Sequence, residues 1–191
     1  PSNGTALASS TDFSPAASTI GRDGLKNVRV LWDIENVPVQ RRLGGLETVK
    51  RLHLFLESIG LYGDNIDCRI TAFFAATKGA GSGNKVPENI VIDLDRAAVE
   101  LVWVAAKRED ADRKLATRIA HEMQVLPAKA TTFVVISSDQ DFRHQYQILR
   151  NAGYHVVVMH TADSSSKWCS TLELQVHQSF NFQDVLNAFD Y

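Results

Sequence analysis

Apolar residues fall along this chain in short blocks that switch between a strand period and a helix period. Val28-Arg29-Val30-Leu31-Trp32 is a compact run that stops at Asp33 and is followed by Glu35, Asn36 and Pro38. Short β-branched and aliphatic runs bounded by turn formers read as buried strands, and Pro38 has no N–H with which to continue a ladder. The first strand is therefore expected from Val28 to Asp33. Leu46, Val49, Leu52, Leu56 and Ile59 recur at three- and four-residue steps, an amphipathic helix closed by Gly60 and Gly63. Ile66 to Ala76 reads as a second strand, Pro87 to Ala98 as a helix with proline near its start, and Val99 to Ala106 as a third strand. A long helix from Asp110 to Val125 carries the stripe Ala111, Leu115, Ile119 and Met123. A strand from Thr131 to Ser137, a helix from Phe142 to Asn151 ended by Gly153, and a strand from His155 to His160 follow. The C-terminal stretch is the least sharply patterned: Ser164-Ser165-Ser166, then Leu172 to Phe180, then a final helix over Phe182 to Phe189.

Repeated strand–helix alternation predicts a three-layer α/β/α sandwich around a mostly parallel central sheet of about five strands, joined by right-handed crossovers. A chain of 191 residues holds one such domain. Residues 1–26, rich in Ser, Ala, Thr and Gly and without period, are expected to be a flexible leader or linker, leaving 27–191 as the domain. The start at Pro1 reads as a piece cut from something longer.

Composition narrows the function only a little. A hydrophobic content of 45% and a charged content of 22% belong to ordinary soluble globular proteins. A formal net charge of -2 gives no global basic field, so a polyanionic partner would need a local basic patch or a metal ion. Cys68 and Cys169 lie far apart without metal-ligand or redox spacing; free thiols of an intracellular protein are the simpler reading, with one disulfide as the other. No apolar run reaches the length of a membrane span, no signal peptide is visible, and no membrane partner is expected. The glycine-rich stretch from Lys78 to Lys85 lacks the glycine–lysine–hydroxyl order of a phosphate-binding loop and reads as a flexible connection.

The candidate chemistry sits where strands end. Asp33 and Glu35 follow the first strand, Glu109, Asp110 and Asp112 the third, and Asp139 and Asp141 the fourth. In a parallel doubly wound sheet all these junctions face one edge. Carboxylates gathered there repel one another unless a cation neutralises them or some take up protons. Hard oxygen donors suit Mg²⁺ or Mn²⁺, which also hold phosphates, so metal-assisted phosphodiester hydrolysis is the reaction class the pattern suggests. Taken singly, Asp110, Asp112, Asp139 and Asp141 are each more often a helix N-cap or a solvated charge than a ligand. Asp33 has no obvious helix to cap. Lys107, Arg108, Arg113, Lys114 and Arg118 crowd the start of the long helix, and Arg143 and His144 follow the last acids; this is either a solvated face or a phosphate-backbone patch. His144, His155 and His160 show no metal-ligand spacing, and no zinc-protease or serine-hydrolase motif is present.

Leu31-Trp32-Asp33-Ile34-Glu35-Asn36-Val37-Pro38, Lys107 with Ala111-Asp112-Arg113-Lys114-Leu115, and Ile136-Ser137-Ser138-Asp139-Gln140-Asp141-Phe142 resemble the signature segments of NYN domains. The nearest likeness is to the type found in meiosis regulator and mRNA stability factor (limkain) proteins, over about Val28 to His160. The resemblance implies a PIN-like α/β/α fold and Mg²⁺- or Mn²⁺-dependent cleavage of RNA, single-stranded by expectation. It makes Asp33, Asp112 and Asp139 the metal-binding acids and has Asn36 orient the site. Asp141 becomes a further ligand or a group behind the ligands, and Ser137 or Ser138 a hydrogen-bond donor to an acid or a metal-bound water. Lys107, Arg108, Arg113 and Arg143 would hold the RNA backbone, and other domains or proteins of an RNA-regulating complex would be partners. In one respect the chain departs from the pattern. Some relatives carry an acid at the end of the second strand, where Phe73, Phe74 and Ala75 stand here, and Glu88, Asp93 and Asp95 are not in register with it. A catalytically weak or inactive RNA-binding or scaffolding module on the same fold is the alternative. A small-molecule phosphohydrolase is disfavoured, because no Asp-x-Asp pair follows the first strand.

Overall fold

A computed structural model of the chain describes residues 24–76, 86–105, 110–162 and 167–189. The strands are β1 (Asn27–Asp33), β2 (Asp67–Ala76), β3 (Glu100–Ala105), β4 (Thr131–Ile136), β5 (His155–His160) and β6 (Gln178–Asn181). The helices are α1 (Gly44–Ser58), α2 (Glu88–Arg96), α3 (Asp110–Val125), α4 (Arg143–Asn151), α5 (Lys167–Glu173) and α6 (Phe182–Asn187). All strand pairings are parallel, in the order β3-β2-β1-β4-β5-β6. Among the described residues the sheet therefore has six strands where about five were expected. The extra one, β6, is short, polar and only half-buried, so no hydrophobic period announces it.

The two apolar faces of the sheet are covered by different helices. Val30 and Trp32 of β1 pack with Val49, Leu52 and Phe55 of α1, Ile90 and Leu94 of α2, and Phe182, Val185 and Leu186 of α6. Leu31, Phe133, Val135 and Val158 face the other way, against Leu115 and Ile119 of α3, Tyr146 and Leu149 of α4, and Trp168 and Leu172 of α5. Side chains alternate along a strand, so Trp32 and Asp33 belong to opposite faces. Asp33 shares the α3–α5 face with Leu31.

The chain first winds outwards from β1 through β2 to β3. Helix α3 then carries it back across the sheet to β4, which pairs with the free side of β1 in the register Trp32↔Ile136. In open α/β sheets, ligands bind at the carboxyl ends of the two strands flanking such a reversal. Here those ends are Asp33 and the segment after Ile136. The turn after β1 is clamped from the far face, where the Trp32 indole N–H donates to the Val37 carbonyl at 2.7 Å.

Candidate active site

Asp33 is only 5% exposed, yet it keeps its polar partners. The Asn36 N–H donates to its Oδ1 at 3.3 Å and the Ser137 hydroxyl donates to its Oδ2 at 3.3 Å. Burial drives its pKa up to about 6. The Asn36 and Ser137 hydrogen bonds oppose the shift, and the nearby charges of Asp112 and Glu35 add to it. With no regular helix following at once, the carboxylate organises the turn after β1 instead of capping a helix.

Ser137 is the joint between the two strand ends. Its hydroxyl donates to Asp33 and accepts from the Asp139 N–H at 3.1 Å. One residue on, the Ser138 N–H donates to Asn36 Oδ1 at 3.2 Å, a second tie between the turns that follow β1 and β4. The expectation left open which serine meets an acid; geometry selects Ser137 for Asp33, while the Ser138 hydroxyl pairs with Thr161 at 2.9 Å.

Asp139 caps the short 3₁₀ turn Gln140–Phe142, its Oδ1 accepting the Asp141 N–H at 2.9 Å. The helix expected to begin at Phe142 is thus preceded by this turn, and α4 starts at Arg143. Capping and convergence are not exclusive. Asp112, Asp139 and Asp141 each present one carboxylate oxygen, all within 4.8 Å of one another. Asp33 stands outside this group, linked to it through Ser137 and through its repulsion with Asp112. Bonds of about 2.0–2.6 Å from Mg²⁺, Mn²⁺ or Ca²⁺ to oxygen place donors around one ion at most about 4–5 Å apart, so the trio fits a single hard cation. Asp110, the other acid of that junction, starts α3.

Tyr146 of α4 is a residue near the site for which the sequence carries no signal. It is fully buried, its hydroxyl has no hydrogen-bond partner among the described residues, and burial first, then Asp139 and Asp33, hold its proton on far above the usual range.

The basic residues separate into different fates. Arg118 is committed to ion pairs with Glu100 and with Glu122 (3.2 Å), the latter also held by the buried Arg29 at 3.1 Å. Lys114 donates to the Trp103 carbonyl at 2.5 Å. Arg143 donates to Gln140 Oε1 at 2.5 Å and lies over the Trp168 ring, 5.3 Å from its centroid. Arg113 is exposed, directly follows Asp112, and forms no ion pair among the described residues. Lys107, Arg108 and Glu109, with the 77–85 connection and the Ser164–Ser166 run, lie outside the described residues. Cys68 and Cys169 are free thiols, and His160 lies beside Cys169, buried at the end of β5. Among the described residues no helix is long and apolar enough to cross a membrane.

A family model described as the NYN domain matches residues 27–176. A search of curated proteins gives no match. Among solved structures, a protein of unknown function from Vibrio parahaemolyticus is 13% identical, with 86% of this chain and 97% of that one covered at a TM-score of 0.57. That likeness concerns the fold. An isochorismatase-like hydrolase from Alkaliphilus metalliredigens, also 13% identical over 87% of this chain and 99% of its own, reaches only 0.38 and supports nothing further.

Proposed function

The chain belongs to the NYN domain family, and from that premise we propose that it is a Mg²⁺- or Mn²⁺-dependent ribonuclease hydrolysing phosphodiester bonds of single-stranded RNA. The observation that carries the reading is the meeting of Asp112, Asp139 and Asp141 at the carboxyl edge of a parallel sheet. Those three would hold the ion. Above pH about 6 the Asp33 carboxylate is free of its proton and adds a further oxygen donor, as the family resemblance assigns. When bound, the ion supplies a water of lowered pKa and positive charge for the phosphoryl oxygens.

The protein's own groups do the positioning. Asn36 and Ser137 tie the turns after β1 and β4 together, fixing Asp33 against the Asp139 turn. Arg113, exposed beside Asp112, would steady a phosphate of the backbone. The limkain-type subfamily, an intracellular setting and partners in an RNA-regulating complex belong to this same proposal.

Asp112→Asn and Asp139→Asn should each lower Mn²⁺-dependent cleavage of a single-stranded RNA by about a hundredfold or more, with circular dichroism unchanged. Undiminished cleavage in either variant would overturn the assignment. Phe73, the register partner of Asp33, stands where some relatives carry an acid, which favours a second reading as a binding or scaffolding module. Wild-type protein that binds RNA but does not cleave it with Mn²⁺ would establish that one.

A further inference from the structure

We propose that the hollow between α3 and the edge strand β3 is a nucleobase pocket, seating one base of the RNA beside the scissile phosphate. The proposal rests on the ribonuclease reading for the identity of its ligand. The hollow is a cavity of about 470 Å³, within the range of small-molecule sites, and it opens on the same sheet face as the carboxylates. Two residues fix its place. Phe73 pairs in register with Asp33, so both side chains project to the α3 face. Arg113 directly follows Asp112 of the acidic trio.

Its chemistry is divided as a nucleotide is divided. The floor is apolar, made by the half-buried Val102 of β3 with the almost wholly buried Phe73 beside it. The wall is one face of α3, with Lys114, Thr117, Arg118 and His121 recurring at helical spacing. Among the described residues no carboxylate lines the cavity. Arg118 and Lys114 are already held, by Glu100 and Glu122 and by the Trp103 carbonyl, so they shape the wall and leave Arg113 and His121 exposed at its rim. A simple anion would gain nothing from the apolar floor, and an apolar side chain nothing from the cations. A flat base with polar edges, joined to a phosphate, uses both. Single-stranded RNA is read in this way, by bases splayed onto aromatic and arginine surfaces.

The test omits both metal and cleavage, so it can fail or succeed independently of the nuclease reading. In EDTA, uridine 5′-monophosphate should shift the backbone amide resonances of Val102, Thr117 and His121, and ribose 5-phosphate, which lacks the base, should not. Thr117→Trp, at an exposed helix position facing the cavity, should fill it and abolish those shifts. In fluorescence anisotropy, placing one abasic nucleotide in a short single-stranded RNA should weaken binding to the wild type by about tenfold. Binding to Thr117→Trp should be weak for the intact RNA and no weaker for the abasic one, with Thr117→Glu as a second, charge-based blockade. Equal shifts from both small ligands, or an abasic penalty that survives both substitutions, would overturn the proposal.

Discussion

At the scale of single residues, Asp33 has a stability consequence with a definite sign. Its pKa rises from 3.8 to about 6, first because burial disfavours the charge. Below pH about 4 the carboxyl is protonated in both the folded and unfolded chain, and its contribution to folding is intact. As pH climbs through about 6 that contribution is lost, because a buried charge must then be carried. In EDTA, Asp33→Asn should therefore be more stable than wild type by about 2 kcal/mol at pH 7.5 and nearly equal to it at pH 4, by urea unfolding. A gain of the same size at both pH values would assign the effect to something other than this proton. That Asp33 is special was legible in the sequence, since an acid ends so apolar a run. The part played by Ser137 was not. Within Ser137-Ser138-Asp139 nothing local tells one hydroxyl from the other, and only the β1–β4 register brings Ser137 against Asp33. Likewise Arg118 and Arg113 read alike as basic helix residues, because the acids that occupy Arg118 come from β3 and from a later turn of α3.

At the scale of elements, helices with a clear apolar stripe could be placed from the sequence to within a few residues, and α3 matches its expected span, Asp110–Val125. Their packing partners could not. Helix α1 starts at Gly44, ahead of the expected Leu46, because its first turn is pressed against α2. A Cβ added at Gly45 would lie 2.6 Å from Asp93 Cβ and 3.1 Å from the Ile90 carbonyl, and the Gly45 N–H donates to Asp93 Oδ2 at 3.1 Å. Asp93, an acid with no part in the site by sequence register, thus satisfies a helix N-terminus. Gly45→Ala should destabilise the protein by about 1–3 kcal/mol in chemical denaturation, through crowding of α1 on α2 and weakening of that hydrogen bond. An unchanged midpoint would mean that the two helices can part at no cost. The elements the sequence left unseen, α5 and β6, are seven and four residues long. Neither carries a clear apolar period: α5 mixes Trp168, Cys169 and Leu172 with polar residues, and β6 is mostly polar and defined by its pairing with β5.

At the scale of the whole molecule, the family match ends at residue 176 while the packed core does not. Phe182 lies against Trp32, with ring centroids 5.5 Å apart, Val185 and Leu186 are buried beside it, and the Arg51 guanidinium donates to the Leu186 carbonyl at 2.8 Å. Three large buried side chains contribute about 1.5–3 kcal/mol each, a large fraction of the roughly 5–15 kcal/mol that holds a domain together. A chain truncated to 27–176 should lose cooperative thermal unfolding in calorimetry, whereas one covering 24–189 should retain it; a sharp transition in the shorter chain would show that α6 is dispensable. The reversal between β1 and β4 also keeps time. Asp33 and Ser137 are 104 residues apart along the chain, a stretch that takes about 5–20 s to synthesise at 5–20 residues per second. Pairing so distant is slow to form and has no local substitute. Until Asp141 has left the ribosome and β4 has docked beside β1, the carboxylates have nowhere to meet, and no candidate metal site exists on the growing chain.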